Sequence, residues 1–276
     1  MVAQRAGVLQ LFRPMLRNLG NILIPAPSSE TVVTLPFGMK MVTPPGFRGI
    51  RSYVTGVYEE DLTALFKDIV NEGMIVVDLG ALLGIYTLLA SLLVGTSGKV
   101  YAFEPEPKSF AYLLRNIEIN NCLNIIAVQK AVSDRTGSAG FILSSDRSIG
   151  PIGGLLSVGP HNTGSSMVQT TSLDAFFEEH GWPSIDLIKM DIDGAEKLAL
   201  DGMKELSRRN PQMQLIMEFD PVRIHGAGGS PEVLAVTLQN LGFRKGYIIE
   251  RRLKPFLLAH GFLRSSVHYN VVLKKE

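Results

Sequence analysis

Strands alternating with helices, with glycines and acids falling just after the strands, predict an α/β protein on a mostly parallel sheet flanked by helices on both faces. Three observations carry this prediction. "MIVVDL" (74–79) and "KVYAFE" (99–104) are short β-branched runs of buried-strand type, and each leads into a helical stretch, "IYTLLASLLV" (85–94) and "KSFAYLLRNIEINN" (108–121). In the second helix Phe110, Leu113, Leu114 and Ile117 share one face. Gly80 and Gly84 follow the first strand and Pro105 the second, so each connection is short. The expected class is Rossmann-like, with ligands bound outside the carboxyl ends of the strands.

The elements follow in order. Residues 1–50 read as an N-terminal extension. In "VLQLFRPMLRNLGNILIP" Leu9, Phe12, Leu16, Leu19 and Leu23 recur near helical spacing, with Arg13 and Arg17 as the charges. Pro14 and the arginines interrupt the run, so it reads as a poor transmembrane span, and it lacks the unbroken apolar core of a signal peptide. A helix packing on the domain or on a second copy in a homodimer is expected, with peripheral contact to a membrane surface as the alternative. Pro25, Pro27, Pro36, Pro44 and Pro45 mark irregular chain after it. Residues 51–276 read as one domain. A third strand is expected at 125–132, with extra strands at 138–143 and 166–173 around a Gly/Ser-rich loop, and a short helix at 173–180. The fourth strand lies within 185–196 and the fifth at 213–219. A helix at 231–242 has Pro near its start and Gly at its end. Two closing strands run at 243–250 and 267–275.

Composition narrows the function. Apolar residues make up 46% of the 276 positions, enough for a full core, and the formal net charge of +1 argues against a nucleic-acid partner held by bulk charge. The single cysteine, Cys122, excludes a disulfide framework or a multi-cysteine metal site and fits a reducing, cytoplasmic compartment.

At the first strand end Asp78, Gly80 and Gly84 would shape a tight turn into a helix N-terminus. At the second, Glu104, followed by Pro105, offers a carboxylate to ribose hydroxyls. A glycine turn followed by an acid one strand later is the plan of a nucleoside site. The G-x-G-x-x-G pattern is absent, since the turn reads Gly80-Ala81-Leu82-Leu83-Gly84. This weakens a nicotinamide-dependent oxidoreductase as the alternative enzyme.

"VVDLGALLGIYT", "KVYAFEPEP", "LLRNIEINN", "QKAVSD", "SLDAFF", "IDLIKMDIDGAE" and "LIMEFDP" occur in this order. The set resembles the FkbM family of S-adenosylmethionine-dependent methyltransferases over roughly residues 53–220. The resemblance implies a class I methyltransferase fold, a seven-stranded sheet whose last strand runs antiparallel. It implies S-adenosyl-L-methionine as cofactor and O-methylation of a carbohydrate, glycolipid or small metabolite. Where the family usually has Asn-Ile in the glycine turn, this chain has Leu82-Leu83; a non-catalytic module of the same fold is the reading that departure would favour. Tyr86 and Thr87 would touch the methionine end of the cofactor, and Tyr58 and Glu59, in "YEED", belong to a segment that folds over it. Ala131 and Val132 would line the adenine pocket, with Asp134 either an adenine contact or a turn acid.

Transfer to an alcohol also needs a group that orients the hydroxyl and takes its proton. "KMDIDGAE" supplies Lys189, Asp191, Asp193 and Glu196 after the central fourth strand, with Asp191 also touching the cofactor. Glu218 ends the fifth strand and His225 follows in the next loop. Asp191, Asp193, Glu218 and His225 are the catalytic candidates. No metal is expected. Arg251, Arg252, Lys254, His260 and Arg264, between the closing strands, would clamp an anionic acceptor.

Overall fold

The computed structural model describes residues 26–143, 153–155, 165–250, 253–258 and 268–275. The amphipathic stretch at 9–23, and Arg251, Arg252, His260 and Arg264, lie outside the described residues.

Among the described residues, the central sheet has eight strands: β3 (Ile75–Leu79), β4 (Lys99–Phe103), β5 (Ile125–Val128), β10 (Leu187–Met190), β11 (Gln214–Phe219), β12 (Phe243–Ile248), β13 (Lys254–Leu257) and β14 (Tyr269–Lys275). Their spatial order is β13-β12-β14-β11-β10-β3-β4-β5. Strands β5, β4, β3, β10 and β11 pair in parallel, and β14 runs antiparallel to both β11 and β12. The expected antiparallel last strand is therefore present, inserted beside the fifth. Val76 and Val77 at the centre are wholly buried, as a strand covered by helices on both faces requires.

One strand more than the expected seven closes the edge. β13 pairs with β12, and Gly246 makes room for it: a Cβ there would stand 2.3 Å from the Phe256 ring. Pro255 is tolerated because this is an edge. The run read as one strand at 125–132 divides. β5 stops at Val128, where Lys130 N–H turns back onto the Val128 carbonyl. Ala131–Val132 (β6) then joins a second sheet of order β6-β9-β7-β8, with β7 (Gly137–Leu143), β8 (Gly153–Leu155) and β9 (Ser165–Thr171).

The helices α1 (Ile50–Thr55), α2 (Glu60–Ile69), α3 (Ile85–Val94) and α4 (Pro107–Ile119) belong to the first half of the chain. Residues 31–43, expected to be irregular, form a hairpin of β1 (Thr31–Thr34) and β2 (Lys40–Thr43). Buried Asn116 on α4 fixes it: its Oδ1 accepts from Val42 N–H at 2.6 Å, and its Nδ2 donates to Leu83 O at 2.8 Å. Leu35, Met41, Phe47, Ile50 and Tyr53 share a core cluster with Leu83 and Leu88 of the domain. α5 (Leu173–Glu179), α6 (Glu196–Asp201), α7 (Lys204–Arg209), α8 (Pro221–Gly226) and α9 (Pro231–Asn240) complete the second half.

Candidate active site

A cavity of about 450 Å³ opens at the carboxyl ends of β3, β4, β10 and β11. That volume falls within the roughly 300–1,000 Å³ of small-molecule sites. Its floor is the turn after β3. Gly80 has φ +81 there, and a Cβ on it would meet the Asp191 carbonyl oxygen at 1.9 Å, so the turn and the β10 end touch only because residue 80 has no side chain. Gly84 works behind the cavity: a Cβ would strike Leu113 at 2.6 Å, which makes it a helix-packing glycine. Leu82, between them, sits at φ 51, a left-handed conformation that a leucine adopts under strain.

Glu104 and Pro105 line the cavity beside this turn. The Glu104 carboxylate accepts from Leu82 N–H at 2.8 Å and from Glu106 N–H at 2.9 Å. Each oxygen keeps a lone pair for a ligand hydroxyl. Burial pushes this carboxyl up to about 7, against the pull of the two backbone donors. Ala131 and Val132 line the cavity as expected, whereas Asp134 is exposed and outside its lining.

Asp78 lines the cavity, with Thr87 Oγ1 donating to it at 2.6 Å and Lys189 Nζ 3.8 Å away. Thr87 itself is fully buried and outside the lining, so it positions Asp78 instead of meeting a cofactor. Tyr86, Tyr58 and Glu59 also line the cavity, with Lys189 Nζ 5.0 Å from the centre of the Tyr86 ring. The Tyr86 hydroxyl donates to Glu59 at 2.9 Å, and Glu59 starts α2 at φ 42. Burial raises the Glu59 carboxyl, only partly offset by Lys189.

Asp191, Asp193 and Glu218 converge on the third side, each with a carboxylate oxygen within 4.8 Å of the others. The chain supplies the balancing cations. Buried Lys189 donates to Asp191 at 3.3 Å, and Arg223 contacts Asp193 and lies 3.3 Å from Asp220. Burial disfavours the Asp191 carboxylate, but Lys189, a hydrogen bond with Glu218 and the charge of Arg223 together hold that carboxyl below the ordinary range. Burial also opposes the Lys189 charge, and Asp191, Asp78 and Glu59 more than offset it, so the ammonium stays charged. Burial lifts Glu218 to about 7. Glu196 is buried behind the cavity, its Oε1 accepting from Gly194 N–H, and is a structural acid of the α6 start.

His225 is a correction. Asp220 caps α8 by accepting from Val222 N–H and Arg223 N–H, which aims Arg223 at the cavity. Two residues on, about 200° around the helix, His225 is exposed and outside the lining. A different histidine lines the cavity, His268, whose Nε2 is 2.7 Å from Glu218 Oε1. Sequence reading looked after each strand, and on an antiparallel strand the residue that reaches this edge comes before it. Phe47, Ser52 and Tyr53 also line the cavity unforeseen; they arrive through tertiary packing, which leaves no local signal. Lys254, expected in an anion-clamping loop, begins edge strand β13.

The glycine cradle and Glu104's remaining acceptor capacity fit a nucleoside cofactor. A sheet with its first strand central, its last strand antiparallel and this cavity at the carboxyl edge defines the Rossmann-like, S-adenosylmethionine-dependent methyltransferases. Residues 78–245 match the methyltransferase FkbM domain, and the chain belongs to that family. It is 27% identical over 148 residues to the hexuronic acid methyltransferase AglP of Haloferax volcanii; the match spans 52% of this chain and 56% of that relative. Among solved structures it is similar to an FkbM methyltransferase from Methylobacillus flagellatus (14% identity, TM-score 0.44, covering 76% of this chain and 50% of that one). It is also similar to a SAM-dependent O-methyltransferase from Thermotoga maritima (15% identity, TM-score 0.46, 91% and 78% covered).

Proposed function

We propose that the chain transfers the methyl group of S-adenosylmethionine to a hydroxyl of a carbohydrate acceptor. The observation that carries this reading is Asp191. It stands at the carboxyl end of the central strand β10, lines the cavity, and is kept ionised by a buried lysine. Such a carboxylate accepts a hydrogen bond from an alcohol and aims its oxygen at a methyl donor. The bound cofactor supplies an electrophilic methyl on a sulfonium. The residues of the chain then hold the ribose (Glu104), bound the methionine end (Glu59, Tyr86) and orient the acceptor (Asp191). The hexuronic acid methyltransferase relative supports a sugar acceptor.

The test is transfer of isotopically labelled methyl from S-adenosylmethionine to a panel of neutral sugars, hexuronic acids and their glycosides, with the product identified by mass spectrometry. A labelled O-methyl sugar is expected; label appearing only on nitrogen or on protein would refute the reading. A strong chelator should leave transfer unchanged, because Lys189 and Arg223 already neutralise the acidic cluster.

A further inference from the structure

We propose that His268, held by Glu218, is the general base that removes the acceptor's hydroxyl proton. The inference rests on the methyl-transfer reading above and adds to it a residue outside the matched family segment 78–245.

The strand pairing delivers the pair. β14 runs antiparallel to β11, with Phe219 opposite Tyr269 and Glu218 opposite Asn270. The start of β14 therefore lies at the cavity edge, where every parallel strand has its end. Residue 268 comes immediately before that start and lines the cavity. Its side chain is 52% exposed, so an acceptor can reach it, whereas that of Glu218 is 14% exposed.

The chemistry follows from which nitrogen is engaged. Nε2 is 2.7 Å from Glu218 Oε1, so Nε2–H donates to the carboxylate and Nδ1 keeps its lone pair. Glu218 fixes the tautomer and stabilises the imidazolium that forms when Nδ1 accepts a proton. Asp191 is a poorer sink, because Lys189 beside it favours its ionised form. The balance is complete: the acceptor oxygen bonds to the methyl carbon, the C–S pair returns to sulfur as S-adenosylhomocysteine leaves, and the hydroxyl proton goes to Nδ1.

Other charged groups surround the pair. Asp191, Asp193 and Lys189 come from the β10 end, Glu196 from α6, and Asp220 and Arg223 from α8. Glu250 follows β12, and Glu59 precedes α2. Glu218 raises the His268 pKa first through its hydrogen bond, and Asp220 and Glu250 add to this. A base must be unprotonated, so turnover should rise with pH through a midpoint above the ordinary histidine value of about 6.5.

The test has an arm that needs no turnover. Imidazole NMR titration of the S-adenosylhomocysteine-bound protein should give His268 a raised midpoint that falls in Glu218→Gln. A midpoint unaffected by that change would overturn the pairing. In the second arm, His268→Gln should bind S-adenosylmethionine normally, keep its Tm and lose about a hundredfold or more in kcat toward the labelled sugar. The acidic limb of its pH profile should vanish. A kcat within threefold of wild type would overturn the proposal. If the wild-type chain binds cofactor and labels no sugar in the panel, the carbohydrate reading fails instead, while the NMR arm still decides the pair.

Discussion

The two sides of the cavity are built by different means. On the β3–β4 side, Glu104 is held by backbone N–H groups, that of Glu106 two residues on and that of Leu82 in the turn after the neighbouring strand β3. On the β10–β11 side, Asp191, Glu218 and Asp193 are held by the side chains of Lys189, His268 and Arg223; Lys189 precedes Asp191 by two residues, whereas His268 and Arg223 come from separate segments. A wall built from backbone groups is rigid and needs only the turns that follow two neighbouring strands. A wall built from side chains can be tuned for an acceptor, but it exists only once distant strands have paired.

That difference decides how much the sequence could reveal. The strands around the site, the glycine turn and Glu104 were legible because strand period and turn chemistry are local signals, whereas Ala131 and Val132 and the sheet type were implied by the family resemblance. Asp191, Asp193 and Glu218 were legible as strand-end acids. Lys189 was legible beside them, but Arg223 and His268 were not: Arg223 sits in a helix that no strand end announces, and His268 precedes a strand that only its antiparallel pairing turns toward the site. Gly84 and Thr87 misled in the opposite sense, since a glycine or hydroxyl at a binding turn can serve the packing behind it. Three of the non-glycine residues with positive φ, Glu59, Leu82 and Asp193, line the cavity. Strain of this kind collects at sites that the surrounding fold over-determines.

If the side-chain wall performs the chemistry and the backbone wall the binding, substitutions should separate kcat from cofactor affinity. The largest effect is expected at Asp191. Asp191→Asn keeps the shape and removes the charge that aims the acceptor, so turnover should fall about a hundredfold or more with S-adenosylmethionine affinity near normal. Steady-state kinetics beside calorimetry would check this; a variant that binds tenfold more weakly yet turns over normally once saturated would invert the two roles.

The next effect belongs to Glu104. A charge-assisted hydrogen bond contributes roughly 1.5–3 kcal/mol, so Glu104→Gln should weaken cofactor binding by about tenfold or more and leave kcat at saturation much less changed. The pH dependence sharpens the point. Ribose hydroxyls donate to the ionised carboxylate, whereas burial lifts this carboxyl to about 7 in the free protein. Below that pH, binding must displace a proton, so affinity should fall as pH drops from about 8 to 6. Calorimetry in buffers of different ionisation enthalpy should detect the proton release. Glu104→Gln should bind with the same affinity across that window, and a retained slope would assign the titration to another group.

The smallest expected effect tests whether the backbone wall is strained by its own sequence. Leu82 donates its N–H to Glu104 while at φ 51, and its side chain packs against the cluster around Phe47. Leu82→Ala removes that packing and leaves the left-handed backbone as strained as before. Leu82→Asn also removes the packing, but asparagine tolerates this conformation far better. The apolar loss is similar in both variants, so their difference isolates the backbone. The asparagine variant should be more stable than the alanine variant by about 1 kcal/mol, or roughly 2–4 °C in Tm for a domain of this size. Cofactor affinity should stay equal in the two, because both keep the N–H that orients Glu104. Equal Tm values would mean that the turn relaxes around residue 82, and that Glu104 is oriented by Glu106 without help from a fixed Leu82 backbone.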